Sequence, residues 1–264
     1  MGLGFSLAGL VVGTAVGATG VGGGSLMTPI LILFYGISPA VAVGTDLLYA
    51  SISKAFGVVL HGRNGSLDWK IVAWMSAGSV PAALLTVLFL HQHGVDESLN
   101  KMIKLVLAIA VLVTATVSLL QEQFWRALNR HRAGWVEWLH GSGQRPMTVI
   151  CGVLIGTVVT ISSVGAGVIG MMMLLLLYPK HSPISLVGSD LAHAVLITGI
   201  AGLGHAGIGT VDYNMLGFLL IGALPGIWIG SRIGFRLSDQ ALKRSIAGLL
   251  IFISFTMLWK IFGL

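Results

Sequence analysis

The sequence predicts an all-α membrane protein, and composition and patterning lead to that prediction. Hydrophobic residues make up 55% of the chain, charged residues only 9%, and mean hydropathy is +0.93. Soluble domains average about 25% charged residues, so an ordinary soluble enzyme is excluded. A disordered chain would need low hydrophobicity and high charge, which is the opposite balance. The apolar residues fall in long runs, as they do in helices that cross a bilayer.

The apolar runs divide the chain into spans. A helix that crosses a bilayer needs about 20 apolar residues, and runs of this kind predict about eight spans. Turns containing glycine, proline and asparagine separate several of them. The predicted spans are 3–35, 40–60, 70–90, 102–120, 147–178, 184–204, 213–231 and 245–262.

Two of these runs are too long for one straight helix. Residues 3–35 would extend about 50 Å, whereas the bilayer core is about 30 Å thick. Residues 147–178 present the same problem. Small residues and glycines occupy the middle of each run, at 20–24 and at 162–167. We therefore expect glycine-broken helices, each kinked, unwound or re-entrant.

The chain also matches itself after a shift of 144 residues. Uncommon residue types then coincide: 44–47 (GTDL) with 188–191 (GSDL), 38–39 with 182–183, 61 with 205, 68 with 212, and 81 with 225. We interpret this as two duplicated four-span halves. Duplicated spans are a frequent transporter design, in which paired broken helices form the substrate site at the repeat interface. Parallel and inverted repeats are both compatible with the sequence.

These features predict three segments. Residues 1–120 form the first transmembrane repeat and 147–264 the second. Between them, 121–146 interleaves arginines with tryptophans, a pattern typical of an amphipathic helix at the membrane interface. The basic residues lie between apolar spans, where headgroups and topology explain them, so no nucleic acid partner is expected.

The sequence resembles the TauE/SafE family, the sulfite exporter and organosulfonate permease group. The resemblance lies in residues 20–24 (GVGGG) with Pro29, in residues 39–47, and in a weaker copy at 182–191. It implies a multi-pass protein of the bacterial cytoplasmic (inner) membrane. It further implies secondary transport of a small sulfur-containing anion such as sulfite, with export expected. The partners would be that anion and the lipid bilayer, and a homo-oligomer is compatible with this.

Such an anion needs backbone N–H donors, hydroxyl groups and a cation. The predicted substrate-binding residues lie at the glycine breaks and beside the repeated acids: Thr19, Gly22, Gly23, Gly24, Thr45, Lys54, Ser162, Ser163, Gly165, Gly167 and Ser189. Glycines also permit close helix packing, which is the alternative role. Their matched placement in the two halves favours a site. Lys54 either neutralises substrate charge or extends its amine towards the end of its span.

Three further intramembrane residues have either a proton-coupling or a structural role. Asp46 and Asp190 follow prolines near the starts of their spans, so they either cap helices or carry a coupling proton. His193 is either a proton relay or a hydrogen-bonded core histidine.

Other classes of function have less support. The chain has no ATP-binding motif, one cysteine and no trusted metal-ligand spacing, so neither a cofactor nor a metal is predicted. An enzyme is not expected. An intramembrane aspartyl protease using Asp46 and Asp190 is disfavoured because Thr45, not glycine, precedes the first acid. A membrane scaffold or assembly protein, docking through 121–146, is the other alternative.

Overall fold

The computed structural model describes residues 2–19, 24–61, 67–130, 138–234 and 239–262. Within these ranges the chain is helical and contains no β-strand, which confirms the all-α prediction. The helices are α1 (Gly2–Thr19), α2 (Gly24–Phe34), α3 (Pro39–His61), α4 (Trp69–His93), α5 (Glu97–Arg130), α6 (Gln144–Ser162), α7 (Val168–Leu177), α8 (Pro183–Ile208), α9 (Tyr213–Gly234) and α10 (Asp239–Phe262).

The outer surface of the helix bundle suits a bilayer. In the described ranges, five helices are long and apolar enough to cross a membrane: α4, α5 over Glu97–Leu120, α6, α8 over Ile184–Ile208, and α9 over Tyr213–Arg232. Large apolar side chains cover their outer faces, and Leu85 and Ile221 are 67% and 66% exposed. Such a surface would promote aggregation in water, whereas lipid covers it without penalty. The multi-pass prediction is confirmed.

Both long apolar runs are broken, as the glycines predict, and each turns back on itself. In the first run, the Tyr35 hydroxyl beyond the end of α2 donates to the Gly4 carbonyl near the start of α1 (2.7 Å). In the second, the Tyr178 hydroxyl beyond α7 lies 2.9 Å from the Thr148 hydroxyl on α6. Each pair of helices is therefore an antiparallel hairpin. Counting each hairpin as one unit gives four units per half.

Contacts between the halves fix the directions of their helices. Gly13 and Gly17 of α1 approach the backbone of Ala223 and Ile227 of α9, so these helices run parallel. Cβ atoms there would collide with carbonyl groups, which explains the glycines. α4 and α6 are parallel too, because Gly152 and Gly156 approach Met75 and Ser79 in the same order.

The equivalent helices α3 and α8 instead run antiparallel. The Ser51 hydroxyl donates to the Val195 carbonyl at 3.1 Å, and these residues are 144 positions apart, the repeat shift itself. Gly202 packs against Leu48, so the contacts run in opposite order along the two helices. A two-fold pseudo-axis perpendicular to both helices therefore passes near Ser51 and Val195. In the described ranges each half contributes five helices, and the antiparallel course of the equivalent helices α3 and α8 shows that the repeats are inverted, a known transporter architecture.

Helix α5 ends and helix α6 begins at positions other than the predicted segment boundaries. α5 continues without interruption to Arg130, so the helix crosses the predicted boundary at residue 120. Residues 138–140 add a helical turn before α6 begins. The interfacial position of 121–146 stays a prediction.

Candidate functional site

Polar side chains converge where α3 and α8 cross. On α3 these are Asp46, Tyr49, Ser53 and Lys54, whose spacing places them along one side of the helix. On α8 the corresponding side carries Asp190 and His193. All six side chains are buried. Burying so many polar groups between helices is costly unless they have partners, which marks this cluster as the candidate site.

Lys54 connects the first half to the hairpin of the second. Its ammonium Nζ donates to the carbonyl oxygen of Ala166 at 2.7 Å, and the residue is only 5% exposed. It also lies within electrostatic range of both Asp190 and Asp46, and no salt bridge joins it to either acid in the described ranges. The amine is therefore directed into the protein and does not extend towards the end of its span.

Asp46 lies on the opposite side of this crossing from Asp190. The Thr28 hydroxyl of α2 donates to its Oδ2 atom, whereas Oδ1 has no hydrogen-bond partner among the described residues. Asp46 stands seven residues after Pro39, where α3 begins, so it does not cap its own helix. A buried carboxylate with one open oxygen is suited to receive a proton or a cation.

Asp190 has the equivalent position on α8. It is 5% exposed, and its Oδ1 atom packs against Gly170 of α7 with no hydrogen-bond partner in the described part of the chain. The first residue of α8 is Pro183, capped by Ser182, so Asp190 is not the helix cap either. Both acids thus have one buried oxygen that accepts no hydrogen bond within the described ranges.

The tip of the second hairpin lies against Lys54. Ser163 has a left-handed backbone (φ 59°), and Gly165 and Gly167 have φ values of 111° and 146°, which glycine adopts without strain. Ser162 stabilises the break because its hydroxyl accepts from the Val164 N–H at 3.2 Å while it donates to the Val158 carbonyl of its own helix at 2.7 Å. The Ser163 hydroxyl makes no hydrogen bond within 3.5 Å among the described residues, and it lies near the Asp46 carboxylate. α7 begins directly after Gly167, so its positive N-terminal end belongs to the same region.

His193 connects the cluster to α4. Its Nε2 atom lies 2.8 Å from the Ser79 hydroxyl, and the imidazole also interacts electrostatically with Lys54. This contact makes His193 a hydrogen-bonded core histidine, which is the structural one of its two predicted roles. Its position beside Lys54 is compatible with proton relay as well.

Thr45 and Ser189 have well-defined contacts away from the cluster. The Thr45 hydroxyl accepts from the Asp212 N–H at 3.0 Å, and the Ser189 hydroxyl accepts from the Asp68 N–H at 2.9 Å. Asp212 and Asp68 in turn accept from N–H groups in the first turns of α9 and α4. Each half thus anchors a helix of the other. Substrate contact by Thr45 and Ser189 stays a prediction.

The first glycine break is only partly described. Gly22 and Gly23 lie outside the described residues, and nothing is described of the Thr19 side chain at the end of α1. Gly24 is the first residue of α2. The predicted roles of these four residues stay predictions.

Several residues of the cluster were not predicted. Tyr49 and Ser53 were detectable, since they follow Asp46 at helical spacing along α3. Thr28, Ser79 and Gly170 had no local signal, because each is identified by a partner on another helix. In the described ranges no three histidine, cysteine or acidic residues come together as metal ligands.

Comparisons with known proteins find relatives that are named as membrane transporters. The family model "Sulfite exporter TauE/SafE" matches residues 5–257. The chain is 38% identical over 248 residues to the Bacillus subtilis "Probable membrane transporter protein YjnA", covering 93% of this chain and 95% of that protein. It is 25% identical over 254 residues to "Probable membrane transporter protein YdhB" of the same organism, covering 91% and 96%. No solved structure matches.

Proposed function

Because the chain belongs to the TauE/SafE sulfite exporter family of membrane transporters, we propose that it exports a small sulfur-containing anion such as sulfite or an organosulfonate. The sulfur chemistry and the direction follow from the family's description. We place the protein in a bacterial cytoplasmic membrane, since its curated relatives are from Bacillus subtilis. The sequence has no ATP-binding motif, so an ion gradient or the substrate gradient supplies the energy.

One observation carries the proposed binding site: a buried lysine of one half bonds the broken hairpin of the other half. Lys54 supplies a positive charge, and the Ser163 hydroxyl and the N-terminal end of α7 supply hydrogen-bond donors. The glycine backbone at Gly165 and Gly167 permits close approach of a ligand. When an oxyanion binds here, the Lys54 ammonium group would give up its hydrogen bond to the Ala166 carbonyl and donate to the anion instead.

The two acids supply the proposed coupling. An anion would be repelled by two ionised carboxylates, so it enters most easily when one of them carries a proton. Asp46 and Asp190 each keep one oxygen without a partner in the described structure and are therefore the proposed proton carriers, with His193 as relay. Sulfur anion and proton would then cross together or in exchange, as secondary transporters operate from a midplane site.

Ligand binding to the purified protein tests the site. A ligand that binds only the folded state raises its stability, by about 2.7 kcal/mol at a hundredfold excess over Kd. We expect a selective rise of Tm with one of sulfite, thiosulfate, sulfate, sulfoacetate or taurine. Lys54→Met should abolish the rise, whereas Lys70→Met, which removes an exposed lysine on α4, should leave it unchanged. A rise that survives in Lys54→Met would contradict the proposed site.

A further inference from the structure

Under the repeat shift the two halves carry an acid at equivalent positions, whereas Lys54 has no basic counterpart in the second half. Asp46 coincides with Asp190 under the repeat shift, whereas Lys54 coincides with Thr198. The Thr198 hydroxyl donates to the Ala194 carbonyl of its own helix at 2.6 Å, so it is neutral and locally satisfied. The equivalent positions 54 and 198 therefore supply one cation, whereas positions 46 and 190 supply two acids.

Lys54 lies close to the pseudo-axis, and the acids lie on opposite sides of it. Ser51 and Val195 mark the crossing of α3 and α8. Asp46 precedes Ser51 by five residues and Asp190 precedes Val195 by five, which is about 7.5 Å along each helix. Because the helices are antiparallel, these displacements point towards opposite membrane faces. Lys54, three residues beyond Ser51, lies about 4.5 Å from the axis on the side of Asp190, and eight residues separate it from Asp46 along α3.

The observed contacts of Lys54 are not symmetric. Its hydrogen bond goes to Ala166 of the second half, and its backbone lies about 4.5 Å from the axis on the side of Asp190. Asp46 receives its hydrogen bond from Thr28 instead. The structure therefore resembles one of two arrangements that the pseudo-symmetry allows, the one in which Lys54 lies on the side of Asp190.

We propose that Lys54 is a shared counter-charge, which pairs with Asp190 in one end state of the transport cycle and with Asp46 in the other. A buried charge without a partner is strongly destabilising, so the acid that Lys54 leaves must take up a proton from the water at its open face. When Lys54 returns, that acid releases the proton. This exchange rests on the proposed transport function and gives each end state its own protonated acid.

The proposal predicts opposite effects of two equivalent substitutions. Asp46→Asn removes the competing partner and should favour the state in which Lys54 pairs with Asp190. Asp190→Asn should favour the other state. Ala42 and Leu186 are equivalent under the repeat shift, fully buried, and each one turn before its acid, so cysteines there report the opening of the two faces. The single native cysteine would be removed by Cys151→Ala.

Maleimide labelling of the detergent-purified full-length protein measures both openings without any substrate. Asp46→Asn should lower the labelling rate of one reporter and raise that of the other several-fold, and Asp190→Asn should do the reverse. In a Lys54→Met background neither acid substitution should shift the ratio. Lys54→Arg, which keeps the charge, should preserve both shifts.

Two results would overturn the shared counter-charge: shifts in the same direction for both acid variants, or opposite shifts that persist without Lys54. If Lys54→Met fails to fold, Lys54→Thr places the residue of the other half at this position and replaces it in the comparison. Labelling does not depend on flux. Opposite shifts in a protein that transports no sulfur anion would therefore contradict the proposed substrate and leave the shared counter-charge intact. Normal flux together with an unchanged ratio of labelling rates would contradict the shared counter-charge and leave the proposed transport function intact.

Discussion

The Lys54 ammonium group donates to the Ala166 carbonyl oxygen at 2.7 Å, across the boundary between the two halves of the chain. A helix of the first repeat thereby binds the broken hairpin of the second. Carbonyl groups at a helix break are available because no helical N–H satisfies them. The bond places a cation at the centre of an inverted repeat, where transporters of this architecture bind their substrates.

Removing the hydroxyl that serves Asp46 should destabilise the protein. In Thr28→Val the buried carboxylate loses its donor, which costs about 1–3 kcal/mol. We expect a lower Tm and slower anion flux. Thr28→Ser keeps the hydroxyl and should retain most of both. An unchanged Tm in Thr28→Val would show that this contact does not support the carboxylate.

The bond between Ser79 and His193 should contribute to stability in a way that a neighbouring serine does not. Ser79→Ala leaves a buried imidazole nitrogen without its partner, at a cost of about 1–3 kcal/mol. The Ser76 hydroxyl on the same helix has no partner among the described residues. Ser76→Ala is therefore the matched control and should leave unfolding in denaturant almost unchanged. Equal losses in both variants would argue against a specific role of the His193 contact.

A methyl group at Gly170 should disturb the second acid directly. The added Cβ would collide with the Asp190 Oδ1 atom, which must then move. We expect Gly170→Ala to reduce transport strongly while the protein still purifies as a single species. A Cβ at Gly217 of α9 would meet open space, so Gly217→Ala serves as the control and should transport normally. Normal transport by Gly170→Ala would mean that the position of Asp190 is not critical.

Substitutions of Thr45 and Ser189 distinguish a structural role of their hydroxyl groups from direct contact with the substrate. Their hydroxyls accept from the N–H groups of Asp212 and Asp68, so Thr45→Val and Ser189→Ala should each lower stability by about 1 kcal/mol. The anion concentration that gives half-maximal flux should stay unchanged in both variants. A large increase of that concentration at normal stability would instead support the predicted substrate contact.

Much of the fold follows from the sequence for identifiable physical reasons. Run lengths compared with bilayer thickness indicated that 3–35 and 147–178 must break, and the shift of 144 residues indicated duplication. The direction of each hairpin did not follow, because it depends on contacts such as that of Tyr178 with Thr148. Whether the repeats were parallel or inverted was therefore undetermined until α3 and α8 were seen to run antiparallel.

The candidate site was predictable only in part. Charged residues in apolar helices stand out, so Asp46, Lys54 and Asp190 were recognised from the sequence alone. Their partners were not, because threonine, serine and glycine are common in membrane helices and gain significance only through contacts. Thr28 and Gly170 illustrate this, since each lies on a hairpin helix that packs against an acid of the next helix, 18 and 20 residues further along the chain.

The most direct test of the account is sulfur-anion flux through proteoliposomes that contain the wild-type chain or Lys54→Met. We predict that the wild-type protein moves one sulfur anion selectively, with a rate that responds to an imposed proton gradient. Lys54→Met should fold and reconstitute but lose this flux, while Lys70→Met retains it. Undiminished, gradient-dependent flux through Lys54→Met would contradict the central role of the buried lysine.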